Sequence, residues 1–327
     1  MTAGAHETGT AAGLVERAAA AFAASIPEHP ADDGFFGPRS VTWRLAGDLT
    51  TPVAGLRSLI VQALHPLAMA GVEQHSDWRS DPVGRFASTS SYLVTTTFGD
   101  RAAAERAAAI VRKIHTHVHG TDTVTGKPYA ADDPDLLLWV HAVQVDSTLK
   151  TATLLGTHVS PADADRYVAE MTAAARLIGM PDGLAPASTA ELDDYLAAIQ
   201  PDLLLTPAAA DTATFLLDPP GLDEDIAELW SEIRDGVLTV LPDWASDRYG
   251  FARPSAQSST EPKEPTEPKT PEELAERRAE IRQALGVFDA VTLGEPDVLE
   301  ARQRIELRVR QAQAQAQEQA QAQAPRQ

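Results

Sequence analysis

Segments of helical periodicity, separated by short breaks, fill most of this chain. Between about residue 40 and residue 252, apolar residues recur at the spacing of an α-helix, and proline or glycine stands at the breaks. Alanine is abundant, aromatic residues make up only 6% of the chain, and runs of β-branched residues are short. Because alanine has the highest helix propensity and β-branched residues lower it, these patterns predict an all-α fold.

The same breaks define the expected domain organisation. Nothing between residues 40 and 253 resembles a linker, so we expect one helical domain there, preceded by a helical lead-in over residues 1–39. Residues 254–271 are rich in Pro, Glu, Lys, Ser and Thr and too poor in apolar side chains to order themselves, which predicts a disordered tether. Residues 272–327 predict a C-terminal extension of charged helices ending in a low-complexity Gln/Ala tail, a candidate contact for a protein partner.

Cap residues and breaks locate the individual helices. Asp81 precedes Pro82, and Asp100 follows Phe98–Gly99, which are typical helix starts. The predicted helices cover residues 52–69 (closing near residues 65–66), 83–97, 101–118, 134–149, 161–178, 189–199, 206–217 and 222–240, with further helices over 272–287 and from about 296. We expect loops over residues 71–82 and 121–131.

Charge and the absence of cysteine exclude several classes of function. The formal net charge is −20 and the isoelectric point is near 4.7, which opposes binding to nucleic-acid phosphates or anionic lipid headgroups. We therefore expect no nucleic-acid partner. The chain contains no cysteine, so disulfides, zinc–thiolate sites, thiolate-ligated haem and cysteine nucleophiles are excluded. A bound metal would need His, Asp or Glu as its ligand.

The sequence carries no recognisable targeting or spanning segment. The amino terminus contains acidic residues and lacks the basic start and unbroken apolar stretch of a secretory signal. No later run reaches the ~18 apolar residues of a transmembrane helix. These observations predict a cytoplasmic protein without a membrane span.

Common site motifs are also missing from the sequence. There is no GxGxxG, GxxxxGK[ST], GxSxG or HExxH pattern, and the paired Glu-x-x-His of a di-iron bundle is absent. The acidic groups Asp132–Asp133 and Asp223–Asp225 precede apolar stretches. We interpret them as charges at helix N-termini rather than as catalytic carboxylate pairs.

Three of the nine histidines lie close together, at His115, His117 and His119. On a helix this spacing sends the middle side chain away from the outer two, so a three-histidine metal site is disfavoured. The apolar side of this helix is predicted to carry Ala107, Ala108, Ile110, Val111, Ile114 and Val118, and His115 lies next to it. One interpretation of His115 is a core histidine bonded to a backbone carbonyl. The other is a haem proximal ligand, because a neutral imidazole in apolar surroundings suits that role.

Two further histidines are candidates for a site. His141 stands in the apolar segment Leu136–Val143, where a satisfied core histidine is the simpler interpretation and a pocket-lining role is the alternative. His75 stands in a polar segment predicted to be a loop, and it serves either a distal pocket or only the surface. We expect His65 to bond locally at a helix end.

The helix predicted over residues 83–97 places polar residues where soluble helices often carry leucine. Arg85, Ser88, Thr89 and Tyr92 share one stripe of this helix. In one interpretation the stripe is a solvent-facing edge with Tyr92 buried. In the other, Arg85 holds a haem propionate and Thr89 offers its hydroxyl to dioxygen or water. Both interpretations stay open at this point.

A series of short motifs runs along residues 40–252. They are His65-Pro66, Ala70-Gly71-Val72, His75-Ser76-Asp77, Pro82-x-Gly84-Arg85, Thr89, Phe98-Gly99-Asp100, Val111-x-x-x-His115, Gly126-x-x-Tyr129-x-Ala131-Asp132-x-Pro134-x-Leu136-Leu137-x-Trp139-Val140-His141-Ala142, Leu177-x-Gly179-Met180-Pro181, Leu184-x-Pro186, Leu241-Pro242 and Tyr249-Gly250. Each motif alone is common, and their combination resembles the rubber-oxygenase/mpaB family, which includes latex-clearing proteins and fungal mpaB-type oxygenases.

The resemblance implies a globin-like all-α core that binds haem b, with dioxygen as co-substrate. By helix order, it places His115 on the iron as the proximal ligand and Arg85 and Thr89 beside the haem on the distal side. Tyr92 and His141 are further candidates for binding the cofactor, and His75 is a further candidate for catalysis.

One position departs from the family pattern. Latex-clearing proteins can carry a lysine three residues after the arginine that caps the iron, and here that position is Ser88. Serine is a poor iron ligand, so we expect an open or water-bound sixth position or a different ligand. The departure also weakens the case for polyisoprene as the substrate, and latex-clearing proteins are secreted, whereas this chain shows no signal.

The leading hypothesis is therefore a haem-dependent oxygenase that acts on an apolar small molecule, such as an isoprenoid or another secondary metabolite, at a carbon–carbon double bond. One alternative is a haem-binding sensor or carrier without turnover, which the tether and tail would suit. The other is a helical scaffold without a cofactor.

Overall fold

The structure of the protein is a computed structural model that describes residue 20 and residues 23–28, 30–76, 78–79, 81–222, 224–251, 271–292 and 296–323. The predicted tether, apart from residue 271, and most of the predicted lead-in lie outside the described residues.

Helices form nearly all of the regular structure in the described ranges, which confirms the all-α prediction. They are α1 (Val41–Ala46), α2 (Thr51–Gln62), α3 (Pro66–His75), α4 (Pro82–Phe98), α5 (Arg101–His115), α6 (Pro134–Leu154), α7 (Pro161–Leu177), α8 (Thr189–Ala198), α9 (Pro207–Leu217), α10 (Glu224–Val240), α11 (Asp243–Tyr249), α12 (Pro271–Thr292) and α13 (Pro296–Gln323). A short 3-10 turn, Gln200–Asp202, follows α8.

The segment predicted as a loop over residues 121–131 contains a small β-hairpin, so that prediction is wrong. Strands β1 (His119–Thr121) and β2 (Pro128–Ala130) pair antiparallel. The turn between them is held by Asp122, whose carboxylate accepts from the backbone N–H groups of Val124 and Thr125, and by Gly126 at φ +71°. Helix α5 therefore ends at His115 rather than at residue 118.

The helix predicted over residues 52–69 is two helices with a break. The side chain of His65 accepts a hydrogen bond from the backbone N–H of Ala68 and so caps α3, and Pro66 occupies the first turn. The local role expected for His65 is confirmed. Because α3 continues to His75, the loop predicted to begin at residue 71 is wrong for its first five positions.

The main core forms where α2 lies along α6, with α10 packed across both. Its fully buried side chains include Val53, Ile60, Leu64, Trp139, Val143, Val145 and Val237. The indole N–H of Trp139 donates to the carbonyl of Gln62 at 3.1 Å, which satisfies the one polar atom of that buried ring.

A single buried cation joins these three helices. Arg57 of α2 is 2% exposed, and its guanidinium donates to the Asp146 carboxylate (2.7 Å), the Ser147 hydroxyl (2.6 Å) and the Val240 carbonyl (2.9 Å). A buried charge is tolerated only when it is paired and its donors are satisfied. Arg57 therefore fixes the relative positions of α2, α6 and the end of α10.

The C-terminal helices lie against this domain. Ile281 and Leu285 of α12 belong to the main core, and Arg277 forms ion pairs with Glu232 and Asp235 of α10. These contacts make α12 part of the packed structure.

Helix α13 packs against a second cluster. Its Ala301 is fully buried there beside Trp43 and Phe98. Arg308 lies over the Trp43 ring at 4.6 Å and donates to the Phe98 carbonyl at 2.8 Å, at the C-terminus of α4.

No single helix within the described ranges combines the length and apolarity needed to cross a bilayer. Helices α2 and α3 meet those criteria only when taken together, and the chain bends by 103° between them.

We expect Arg57→Ala to destabilise the fold by about 3–5 kcal/mol, because it leaves the Asp146 carboxylate buried without its partner. The matched control is Arg44→Ala, which removes an exposed pair with Asp163 at 2.9 Å and should cost about 1 kcal/mol or less. Urea unfolding of the two variants measures the difference, and equal free energies of unfolding would contradict the structural role of Arg57.

Candidate functional site

Helices α4 and α5 form an antiparallel hairpin joined by Gly99 and Asp100. Asp100 caps α5 by accepting from the backbone N–H of Ala103 at 2.8 Å. At this closed end Ala104 and Ala108 are fully buried, and Tyr92 of α4 packs against them. Alanine side chains are short, so the two helices approach closely there.

The two helices present an open face at the other end of the hairpin. On α4, Thr96 is buried and Tyr92 is half-buried, whereas Thr89 and Arg85 on the same stripe are exposed. On α5, Ile110 and Ile114 are 62% and 53% exposed. We use the name α4/α5 crevice for the group Arg85, Thr89, Tyr92 and His115, in which the charge of Arg85 acts on His115 and Tyr92 packs against the alanines of α5.

His115 is the last residue of α5, and its Nδ1 atom is buried without a hydrogen-bond partner in the described part of the chain. Burial lowers the pKa of His115, the Arg85 cation lowers it further, and Asp132 acts in the opposite direction. The imidazole is therefore held neutral near pH 7. A neutral imidazole with an unsatisfied nitrogen is the form that binds a metal.

Arg85 supplies a cation at the crevice. Water reaches its side chain, yet burial among surrounding atoms lowers the pKa of Arg85. A side chain that is surrounded by protein atoms on one side and open to water on the other shows both properties. Its contact with water keeps the guanidinium charged. No ion pair or side-chain hydrogen bond of this guanidinium occurs among the described residues, so it is available to an anionic group.

The hydroxyls of this stripe are bonded to their own helix. Thr89 donates to the Arg85 carbonyl at 3.0 Å, and Ser88 donates to the Gly84 carbonyl at 2.7 Å. Each oxygen retains lone pairs that can accept a hydrogen bond. In this arrangement the Thr89 oxygen can accept a hydrogen bond from a bound molecule. It can donate a hydrogen bond to such a molecule only after its hydroxyl rotates away from the Arg85 carbonyl.

Tyr92 lies at the inner end of the crevice. Burial raises its pKa to about 12, while the nearby Arg112 cation lowers it slightly. The phenol is therefore a protonated hydrogen-bond donor throughout the neutral range.

His141 is buried in α6 with 8% of its surface exposed, as the sequence indicated. Burial alone lowers its pKa to about 4. No hydrogen bond joins it to another described residue, and none links it to Arg85, Thr89 or His115. Its role in holding a cofactor stays a prediction.

His75 is the C-terminal residue of α3, so the prediction that it lies in a loop is wrong. One ring nitrogen lies 3.2 Å from the His119 carbonyl, and the ring meets Tyr129 edge-on at 6.2 Å. These contacts fix His75 to the β-hairpin. Within the described residues no hydrogen bond connects it to the residues of the α4/α5 crevice.

The remaining histidines of the cluster do not join His115. His117 and His119 are exposed, and the His117 Nδ1 lies 2.8 Å from the Lys113 carbonyl. In the part of the chain that the structure describes, no group of three or more His, Asp or Glu residues could hold a metal ion. A ligand set for iron here would rest on one histidine.

The packed side of α5 differs from the predicted apolar side. Ile110 and Ile114 were expected on the core side, but the core side carries Ala104 and Ala108, and both isoleucines are exposed. A prediction from helical periodicity treats large apolar residues as buried. Helix α5 instead packs against its neighbours through alanines. The sequence signal was the two runs of three alanines, residues 102–104 and 107–109, which favour close helix packing.

The sequence of the chain matches the catalytic domain of an oxygenase family. Residues 43–261, more than half of the chain, match the family described as ER-bound oxygenase mpaB/B'/Rubber oxygenase, catalytic domain. The chain belongs to this family, which confirms the predicted resemblance and indicates that dioxygen and a small molecule are its substrates. No curated protein and no solved structure matches the chain.

The buried His141 predicts a pH dependence of stability. Its folded pKa of about 4 lies below the unfolded value of 6.5, so the unfolded chain takes up the proton first as pH falls. The stabilisation is complete above pH ~6.5 and is lost towards pH ~4, with a loss of about 2 kcal/mol between pH 7 and pH 5. Urea unfolding of His141→Leu at both pH values should show this loss reduced relative to the wild type.

The matched control is His117→Gln, because the ring of His117 is exposed. It should retain the pH dependence of the wild type. An equal loss of stability in His141→Leu and the wild type would contradict the burial of a neutral His141.

Proposed function

We propose that this protein is a haem b-dependent oxygenase that uses dioxygen to oxidise an apolar small molecule. The observation that carries the proposal is the pairing of a neutral histidine, His115, with Arg85, a cation that has no ion pair among the described residues. Neither ring nitrogen of His115 makes a hydrogen bond there, so one nitrogen would hold the iron and the buried Nδ1 would be left for a partner within the protein. The family match supports the oxygenase class, and we propose the haem and the substrate in addition.

The residues at the α4/α5 crevice fit a haem. His115 would hold the iron through a ring nitrogen, and the unpaired guanidinium of Arg85 would bind a propionate. When bound, haem supplies the chemistry that activates dioxygen.

The chain's own residues orient the reactants. The Tyr92 phenol stays protonated and donates a hydrogen bond at the inner end of the crevice, while the Thr89 oxygen accepts one. Ser88 stands where latex-clearing proteins can carry a lysine, and its hydroxyl is bonded to its own helix, so this position would supply no amine ligand to the iron.

The class of substrate rests on the family match and on the sequence of α4, in which Arg85 is the one charged residue. We infer that the substrate binds by burial of hydrocarbon surface and is oxidised at a carbon–carbon double bond, as in an isoprenoid or another secondary metabolite.

The test compares haem binding by the wild type, His115→Ala and His117→Ala. We expect one equivalent of haem to bind the wild type and His117→Ala with a Soret band of a histidine-ligated haem. His115→Ala should lose that band or shift it, because its axial nitrogen is gone. Absorption spectra during haemin titration measure both effects.

Two outcomes would contradict the proposal. An unchanged spectrum in His115→Ala would exclude His115 as the ligand. A wild-type protein that binds haem but consumes no dioxygen with any of a series of alkenes would favour the haem-sensor alternative over the oxygenase.

A further inference from the structure

The unsatisfied Nδ1 of His115 is an unusual feature of the site. Buried polar atoms nearly always have a hydrogen-bond partner, and a missing partner costs about 1–3 kcal/mol. A histidine that binds iron through one nitrogen almost always donates its other N–H to a carboxylate, a carbonyl or water. If His115 is the axial ligand, a partner for its second nitrogen is therefore required.

Two backbone hydrogen bonds bring Asp132 to the turn of chain that holds His115. The N–H of Val118 donates to the His115 carbonyl at 3.1 Å, and the N–H of Ala131 donates to the Val118 carbonyl at 2.8 Å. Asp132 is the next residue. The end of α5 and the segment before α6 are thus joined side by side.

The two neighbouring aspartates have different surroundings. Asp133 caps α6 by accepting from the backbone N–H of Asp135 at 2.9 Å. The carboxylate of Asp132 makes no hydrogen bond or ion pair among the described residues, and its side chain is exposed and free to adopt another rotamer. The helix-capping role considered for the pair therefore belongs to Asp133 alone.

Two charged residues act on His115 in opposite directions. Arg85 of α4 disfavours the protonated ring, and Asp132 favours it. The backbone hydrogen bonds place Asp132 beside the turn that follows His115, and its charge reaches the ring.

We propose that Asp132 is a positioning residue whose carboxylate accepts a hydrogen bond from the Nδ1–H of His115 when the site is loaded. This inference rests on the proposed function, because it concerns the same axial histidine. The bond would hold the ring in one tautomer and orientation and would make its other nitrogen a stronger donor to the iron.

The experiment uses the haem-loaded full-length chain and the variants Asp132→Asn, Asp132→Glu and Asp135→Asn. Asp135→Asn is the matched control, since it removes one negative charge from the same end of α6. The readouts are the iron–histidine stretching band of the ferrous protein, the reduction potential and the rate of haem loss to an apoprotein acceptor.

We expect Asp132→Asn to lower the frequency of the iron–histidine band, to make the reduction potential more positive and to weaken haem binding by about tenfold. An amide is a weaker acceptor than a carboxylate, so the ring becomes a weaker donor to the iron. Asp132→Glu should restore the band towards its wild-type position, and Asp135→Asn should leave it unchanged.

The outcomes separate this inference from the function it rests on. If His115→Ala loses the haem spectrum while Asp132→Asn matches Asp135→Asn in band and potential, Asp132 is not the partner and only this inference fails. A backbone carbonyl or water would then hold Nδ1. If His115→Ala keeps the wild-type haem spectrum, the proposed axial ligand fails and this inference fails with it.

Discussion

The buried guanidinium of Arg57 is the constraint on which the arrangement of the core depends. Its donors are satisfied by groups on α6 and at the end of α10, so these elements can pack with α2 in only one register. Helix α6 begins directly after Asp132 and Asp133, and the chain before it is bonded to the turn that follows α5. These backbone hydrogen bonds connect the start of α6, the helix that carries two of the partners of Arg57, to the His115 end of α5.

The candidate site arises from an asymmetry within the α4/α5 hairpin. Alanines allow close contact at one end, whereas Arg85 and Thr89 are exposed at the other. The C-terminal helix α13 adds to this arrangement, because Arg308 donates to the carbonyl at the end of α4. A segment beyond the family match therefore helps to hold the helix that carries Arg85 and Thr89.

Sequence reasoning could predict the fold class, most helix bounds and the cap residues, because these depend on local chemistry. It could not predict the β-hairpin, which is stabilised by the turn at Asp122 and by contacts with α3. It also misjudged Ile110 and Ile114, since exposure depends on which neighbours are present. The residues of the candidate site were named from the sequence, but their grouping at one crevice required the structure.

The central claim is that His115 and the α4/α5 crevice hold a haem. The most direct test is the absorption spectrum of the purified wild-type protein, ferric and dithionite-reduced, with iron and pyridine haemochrome content measured on the same sample. The account predicts about one haem b per chain and a Soret band that shifts on reduction. A purified protein that shows no Soret band after haem supplementation would contradict the account.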